Sequence, residues 1–97
     1  MTYAVVWSED GGPPNAGSLE VAEGHLLLAG RTESGRRLAY GDLADAQLER
    51  MYTERLSGRP TLVLSLRDGQ VLRVASMEGG GALHELADRI AAARPAA

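Results

Sequence analysis

The stretch 60–93 constrains the fold more than any other part of the chain. Two short apolar runs meet at Asp68-Gly69, a glycine triplet follows, and an apolar stripe at helical spacing completes the unit. In Thr61-Leu-Val-Leu-Ser-Leu the leucines, and in Val71-Leu-Arg-Val the pair Leu72 and Val74, fall at every second position, the period of a strand with one buried face. Register decides which residues share that face, because a slip of one residue turns the whole set outward. A two-residue turn at Asp68-Gly69 would set Arg73 opposite Leu64. A type I turn with Gly69 in the left-handed bulge position instead pairs Leu66 with Gln70, Leu64 with Leu72, and Leu62 with Val74. That register gathers Leu62, Leu64, Leu66, Leu72 and Val74 on one face, and it is the expected one. Beyond Gly79-Gly-Gly81, Leu83, Leu86, Ala87 and Ile90 fall at i, i+3, i+4 and i+7. A helix over 81–94 therefore presents one apolar stripe. Glu85 and Arg89 stand in the favourable i,i+4 order, and Pro95 stops the helix.

What can be packed between these elements is set by composition. A chain of 97 residues makes one domain that buries about two thirds of the surface its unfolded form exposes. It has no cysteine, so neither a disulfide nor a thiolate metal site can add to the core. Stability must come from apolar packing, for which 44% hydrophobic content suffices. With no Phe and one Trp, that core is built mainly from Leu, Val and Ala. The net charge of −3 and a pI of about 5.3 argue against non-specific binding of long polyanions, so nucleic acid is not an expected partner. Every basic residue is Arg. We read this as the composition bias of a GC-rich genome, although Arg is also the better residue for forked recognition of carboxylate or phosphate. The opening residues lack the basic and apolar regions of a signal peptide. Nothing approaches the ~18 consecutive apolar residues of a membrane span. The chain reads as cytoplasmic.

Towards the N-terminus, 3–7 is a β-branched and aromatic run that suits a strand. It ends at Glu9-Asp-Gly-Gly-Pro-Pro-Asn15, a loop by composition. Residues 17–30 read as a hairpin. With Glu23-Gly24 as a two-residue turn, Val21 faces Leu26 and Leu19 faces Leu28, so all four share one side. A polar turn over 31–37 leads into Leu38 and Tyr40, which alternate into a further strand. The segment 42–56 admits two readings. At helical spacing Ala44, Leu48, Met51, Tyr52 and Leu56 form a stripe behind an Asp42 cap. As a strand, Ala44, Ala46 and Leu48 share a face, a weaker pattern, and local chemistry by itself favours the helix.

This order of elements resembles the pleckstrin-homology-like superfold: two near-orthogonal antiparallel sheets forming a partly open barrel, capped by a C-terminal helix. The resemblance is closest to small bacterial members. It is carried by Gly17-Ser-Leu-Glu-Val with Leu26-Leu-Leu, by Leu38-Ala-Tyr-Gly-Asp-Leu43, by Gly58-Arg-Pro-Thr-Leu-Val-Leu64 with Asp68-Gly69, and by Ala82-Leu-His-Glu-Leu-Ala-Asp88. These are hydrophobic patterns covering most of the chain and not a fingerprint. The resemblance implies that 43–50 is extended, against the local helical pattern. The expectation is thus a mainly β domain with strands over 3–7, 17–22, 25–31, 36–41, 43–50, 61–67 and 70–76, and a helix over 81–94. If 42–56 were helical, the fold would be an open α+β sandwich.

Few residues invite chemistry. His84-Glu85 with Asp88 echoes the zinc-protease helix, but the second ligand is Asp and no third is indicated, so we expect a solvated pair and no metal. His25 beside the Glu23-Gly24 turn has no nucleophile to serve. Gly79-Gly-Gly81 precedes a helix, where backbone N–H groups hold anions. It lacks the lysine and spacing of a P-loop and reads as a flexible connection. Arg31, Arg36 and Arg37 gather around one turn and are the candidate anion contact. Lipid-binding pleckstrin-homology domains carry Lys and Arg on their first two strands and the loop between. Residues 1–30 contain neither, so the lipid role is not carried over. Arg50, Arg55 and Arg59 alternate with Glu49 and Glu54 around Met51 and Tyr52. Tyr52 and Arg55 are the candidate partner contact, since Tyr, Arg and Met favour interfaces. Trp7 suits a core anchor or an interface aromatic.

Three functions compete. The leading expectation is a non-catalytic module that binds a protein or peptide or assembles with its own copy, without a cofactor. The alternative is an anion or phospholipid-headgroup binder using Arg31, Arg36 and Arg37, with Gly79–Gly81 as another site. An enzyme would need residues that the sequence does not reveal.

Overall fold

The apolar alternation read from the sequence becomes seven strands and one helix in the computed structural model, which describes residues 2–10, 12–30, 35–49 and 60–93. The strands are β1 (Thr2–Glu9), β2 (Asn15–Val21), β3 (His25–Gly30), β4 (Arg36–Ala39), β5 (Leu43–Glu49), β6 (Thr61–Leu66) and β7 (Val71–Ser76), and the helix α1 is Gly80–Ala93. All pairings are antiparallel, in the order β4-β3-β2-β1-β7-β6-β5. Strand β1 is shared: one edge pairs with β2 (Tyr3↔Leu19, Trp7↔Asn15), the other with β7 (Val5↔Ser76, Glu9↔Leu72). The sheet curls into a half-barrel, as the pleckstrin-homology-like pattern implied for the fold. Helix α1 lies against β5 and β7 above all, with further contacts to β2 and β6.

Both hairpin registers follow from the turns. Ala22 N–H donates to His25 O at 3.0 Å across Glu23-Gly24, and Gly24 has φ 82. Leu19 then faces Leu28 and Val21 faces Leu26. At the other hairpin Gly69 has φ 94, and its N–H donates to Leu66 O at 3.0 Å while Leu66 N–H donates to Gln70 O at 2.8 Å. This is the bulged turn, with Leu64↔Leu72 and Leu62↔Val74. Asp68 Oδ1 accepts the Gln70 N–H at 2.9 Å and braces it.

The core is the common inner face. Tyr3, Val5 and Trp7 from β1 meet Leu19, Leu26 and Leu28, and across the curl Leu62, Leu64, Leu72 and Val74, all buried. Leu83, Leu86 and Ile90 close it from the helix, each at most 1% exposed. Burial of each such side chain contributes about 1.5–3 kcal/mol.

The segment 43–49 is a strand. It forms a ladder with β6 from Leu43↔Leu66 to Glu49↔Thr61, with an irregularity between Leu43 and Asp45. Ala44, a member of the helical stripe, is exposed, whereas Ala46 and Leu48 pack against the core. Pairing with β6 has overridden local propensity.

Some bounds differ from the sequence expectation. β1 runs on to Glu9 and β2 begins at Asn15, because β1 pairs on both edges and its ladders extend past the apolar run. The helix begins within the glycine triplet, where Gly79 (φ 108) accepts the Leu83 N–H at 3.4 Å. Gly17 has a steric reason. A Cβ there would lie 2.9 Å from the Gly30 Cα and would overlap the Ala29 carbonyl, so only glycine permits that approach of β3.

Candidate functional site

A sheet that curls without closing leaves two end strands, β4 and β5, and the features able to meet a partner lie along them. On β5 the edge can be read residue by residue. Ala46 N–H donates to the Asp45 side chain, at 2.9 Å from Oδ1, and so is turned away from β6. Since antiparallel backbone groups alternate sides, the N–H and C=O groups of Ala46 and Leu48 face outward. No strand among the described residues pairs with that edge. The side chains of Ala46 and Leu48 are only half-buried, next to α1.

The β4 end is polar. A short 3-10 turn, Tyr40–Asp42, carries the chain from β4 to β5. It is pinned by Tyr40 OH to Ala22 O at 2.8 Å, by Arg67 N–H to Asp42 O at 2.9 Å, and by Arg67 Nε–H to Gly41 O at 2.8 Å. Arg36, the first residue of β4, is a tie across the barrel end. Its Nη1 lies 3.0 Å from Glu9 Oε1 at the end of β1, and its Nη2 donates to Gln70 Oε1 at the entrance to β7.

Two clefts flank Arg36. One, of about 430 Å³, lies between Trp7, Glu9, Pro13, Asn15 and Arg36. The other, of about 450 Å³, is lined by Arg36, Arg37, Arg67, Asp42, Asp68 and Leu66. Beside the first cleft Trp7 is a core residue whose Nε1 is sealed from water and has no hydrogen-bond acceptor among the described residues.

A further polar cluster joins the helix to the barrel. Tyr3 OH donates to Glu85 Oε1 at 2.8 Å, and Arg89 Nε–H donates to the same oxygen at 3.3 Å. The Tyr3 hydroxyl and then Arg89 hold the Glu85 carboxyl below the usual carboxylate range. Burial, followed by the hydrogen bond to Glu85 and then its charge, pushes the Tyr3 hydroxyl up.

Of the residues singled out from sequence, the structure brings Arg36 and Arg37 to one cleft. Arg31, Tyr52 and Arg55 lie outside the described residues. The Arg37 side chain is exposed and makes no hydrogen bond or ion pair with any described residue. Sequence reading missed Arg67, and it missed Glu9 and Gln70 as partners of Arg36. Arg67 precedes the Asp68-Gly69 turn, and only the curl of the sheet carries that turn to β4. His84 is exposed on α1 and His25 is half-buried on β3. Among the described residues no three of His, Asp or Glu are grouped to hold a metal, and no helix is long and apolar enough to cross a membrane. Comparison with protein-family models and with curated proteins found no match for this chain.

Proposed function

We propose that this chain is a non-catalytic protein- or peptide-binding or self-assembly module of the pleckstrin-homology-like kind, receiving an extended strand from a partner or a second copy along β5. The observation that carries the reading is the outer edge of β5, where Ala46 and Leu48 turn their backbone groups away from β6. Strand addition draws affinity from such groups and specificity from adjacent side-chain pockets, and the half-buried Leu48 beside α1 provides apolar contact. Asp45 caps one of the outward amides, which moderates indiscriminate edge pairing.

The test is Ala46→Pro. It removes an outward N–H and no bond of the β5–β6 ladder, so circular dichroism should be unchanged. Light scattering across a concentration series, together with selection from a displayed peptide library, measures self-association and peptide capture. Either activity should fall at least tenfold in the variant. A strict monomer that captures no peptide, or capture indifferent to Ala46→Pro, would sink the proposal. A second reading, an anion or phospholipid-headgroup binder, draws on the three guanidinium groups around the second cleft. Flotation with anionic liposomes at low salt tests its lipid form.

A further inference from the structure

We infer that the cleft between β4 and the β6–β7 turn is a carboxylate site, taking the single carboxylate of a peptide C-terminus or of a small organic acid. This rests on the anion-binding reading and is independent of the β5 edge. The cleft of about 450 Å³ has three guanidinium groups on its walls, Arg36 and Arg37 from β4 and Arg67 from the turn. Two are held in place before any ligand arrives. Arg67 spends its Nε–H on Gly41 O, and its terminal nitrogens, each carrying N–H donors, have no partner among the described residues. Arg36 is anchored by Glu9 and Gln70. Arg37, with no partner among the described residues, completes the wall. A planar carboxylate matches the guanidinium fork, and fixing the fork beforehand reduces the ordering cost of binding.

Charge selects the ligand class. Three guanidinium groups share this cleft with Asp42 and Asp68, and Glu9 sits 3.0 Å from Arg36, so three cations stand against three carboxylates before a ligand arrives. A ligand with one negative charge is held by the forks of Arg37 and Arg67 at the smallest electrostatic cost. A phosphate dianion or a polyphosphorylated headgroup would bring further charge against Asp42 and Asp68. The buried Leu38 and Leu66 add an apolar floor suited to the carbon next to a carboxylate.

The experiment is a titration of the full ¹⁵N-labelled chain, following arginine Nε–Hε signals by NMR. The probes are acetate, N-acetyl-Ala-Ala, the C-terminal amide of that dipeptide, inorganic phosphate, and phosphatidylcholine vesicles containing phosphatidylglycerol, whose headgroup has no carboxylate. The two carboxylates should shift Arg37 and Arg67, and the amide should bind at least tenfold more weakly than its acid. Acetate binding as tightly as the dipeptide would assign the site to small acids, and a tenfold tighter dipeptide would assign it to chain termini. Arg37→Gln and Arg67→Gln should each weaken the better carboxylate at least fivefold with the circular dichroism spectrum unchanged. Phosphate or vesicles binding more tightly than either carboxylate would overturn the inference while leaving an anion site. Failure of every probe to move Arg37 and Arg67 would overturn both.

Discussion

Replacing Trp7 with phenylalanine asks whether the indole is held in the barrel for its apolar surface or for its nitrogen. Trp7 is 3% exposed, and its Nε1 is buried with no acceptor among the described residues. A buried donor without a partner costs about 1–3 kcal/mol. Phenylalanine removes that donor along with about two ring carbons, each worth about 0.8 kcal/mol when buried. The two effects oppose one another, so the net change in unfolding free energy should stay within about 1 kcal/mol of zero. Trp7→Ala, which empties the site, should cost about 3–5 kcal/mol. The assay is urea unfolding followed by far-ultraviolet circular dichroism, because the substitution removes the chain's one tryptophan and its fluorescence with it. A loss above about 3 kcal/mol for Trp7→Phe would refute the reasoning. It would mean that the N–H makes a bond whose removal outweighs the relief of an orphaned donor.

Two other perturbations probe the frame. Gly17→Ala drives a Cβ into the Ala29 carbonyl and should cost about 3 kcal/mol or more; Gly41→Ala, which meets nothing within 4 Å, should leave the thermal midpoint nearly unchanged. Acid should weaken the Tyr3–Glu85–Arg89 contact between helix and barrel. The folded-state pKa of Glu85 lies below its ordinary value, so its contribution is complete above the unfolded pKa of about 4.3 and is lost as pH falls through the lower folded value. Urea midpoints of the parent and Tyr3→Phe should therefore converge between neutral and strongly acid pH, and a gap independent of pH would contradict the linkage.

The parts legible in the sequence were those decided within a few residues. Gly24 and Gly69 mark turns, and only one register on each side of them keeps the leucines together, so Leu19↔Leu28 and Leu64↔Leu72 could be read without coordinates. The strand at 43–49 was legible only through resemblance, because its extended state depends on β6 and the local pattern favoured a helix. The site was the least legible. Arg36 and Arg37 stand out as a basic pair, but the bond from Arg36 to Gln70 and the arrival of Arg67 at the same cleft depend on how far the sheet curls. No spacing in the chain encodes that curl. Nor does any local signal show that Trp7 is buried with no partner for its nitrogen among the described residues.

The shared position of β1 bears on how the protein is made. As the chain leaves the ribosome, β1 to β4 can zip into a meander through successive hairpins, but the second edge of β1 must wait for β7. Until Val5 finds Ser76, the nascent sheet carries an open edge, and Tyr3, Val5 and Trp7 lack the cover of β6, β7 and α1. Joining distant segments costs loop-closure entropy before the contacts repay it, which slows folding where pairings are non-local. In that interval a growing chain offers its neighbours on a polysome the same edge that β7 will later occupy. Added chaperone should therefore raise the yield of this protein by reducing the exposure of that edge to its neighbours.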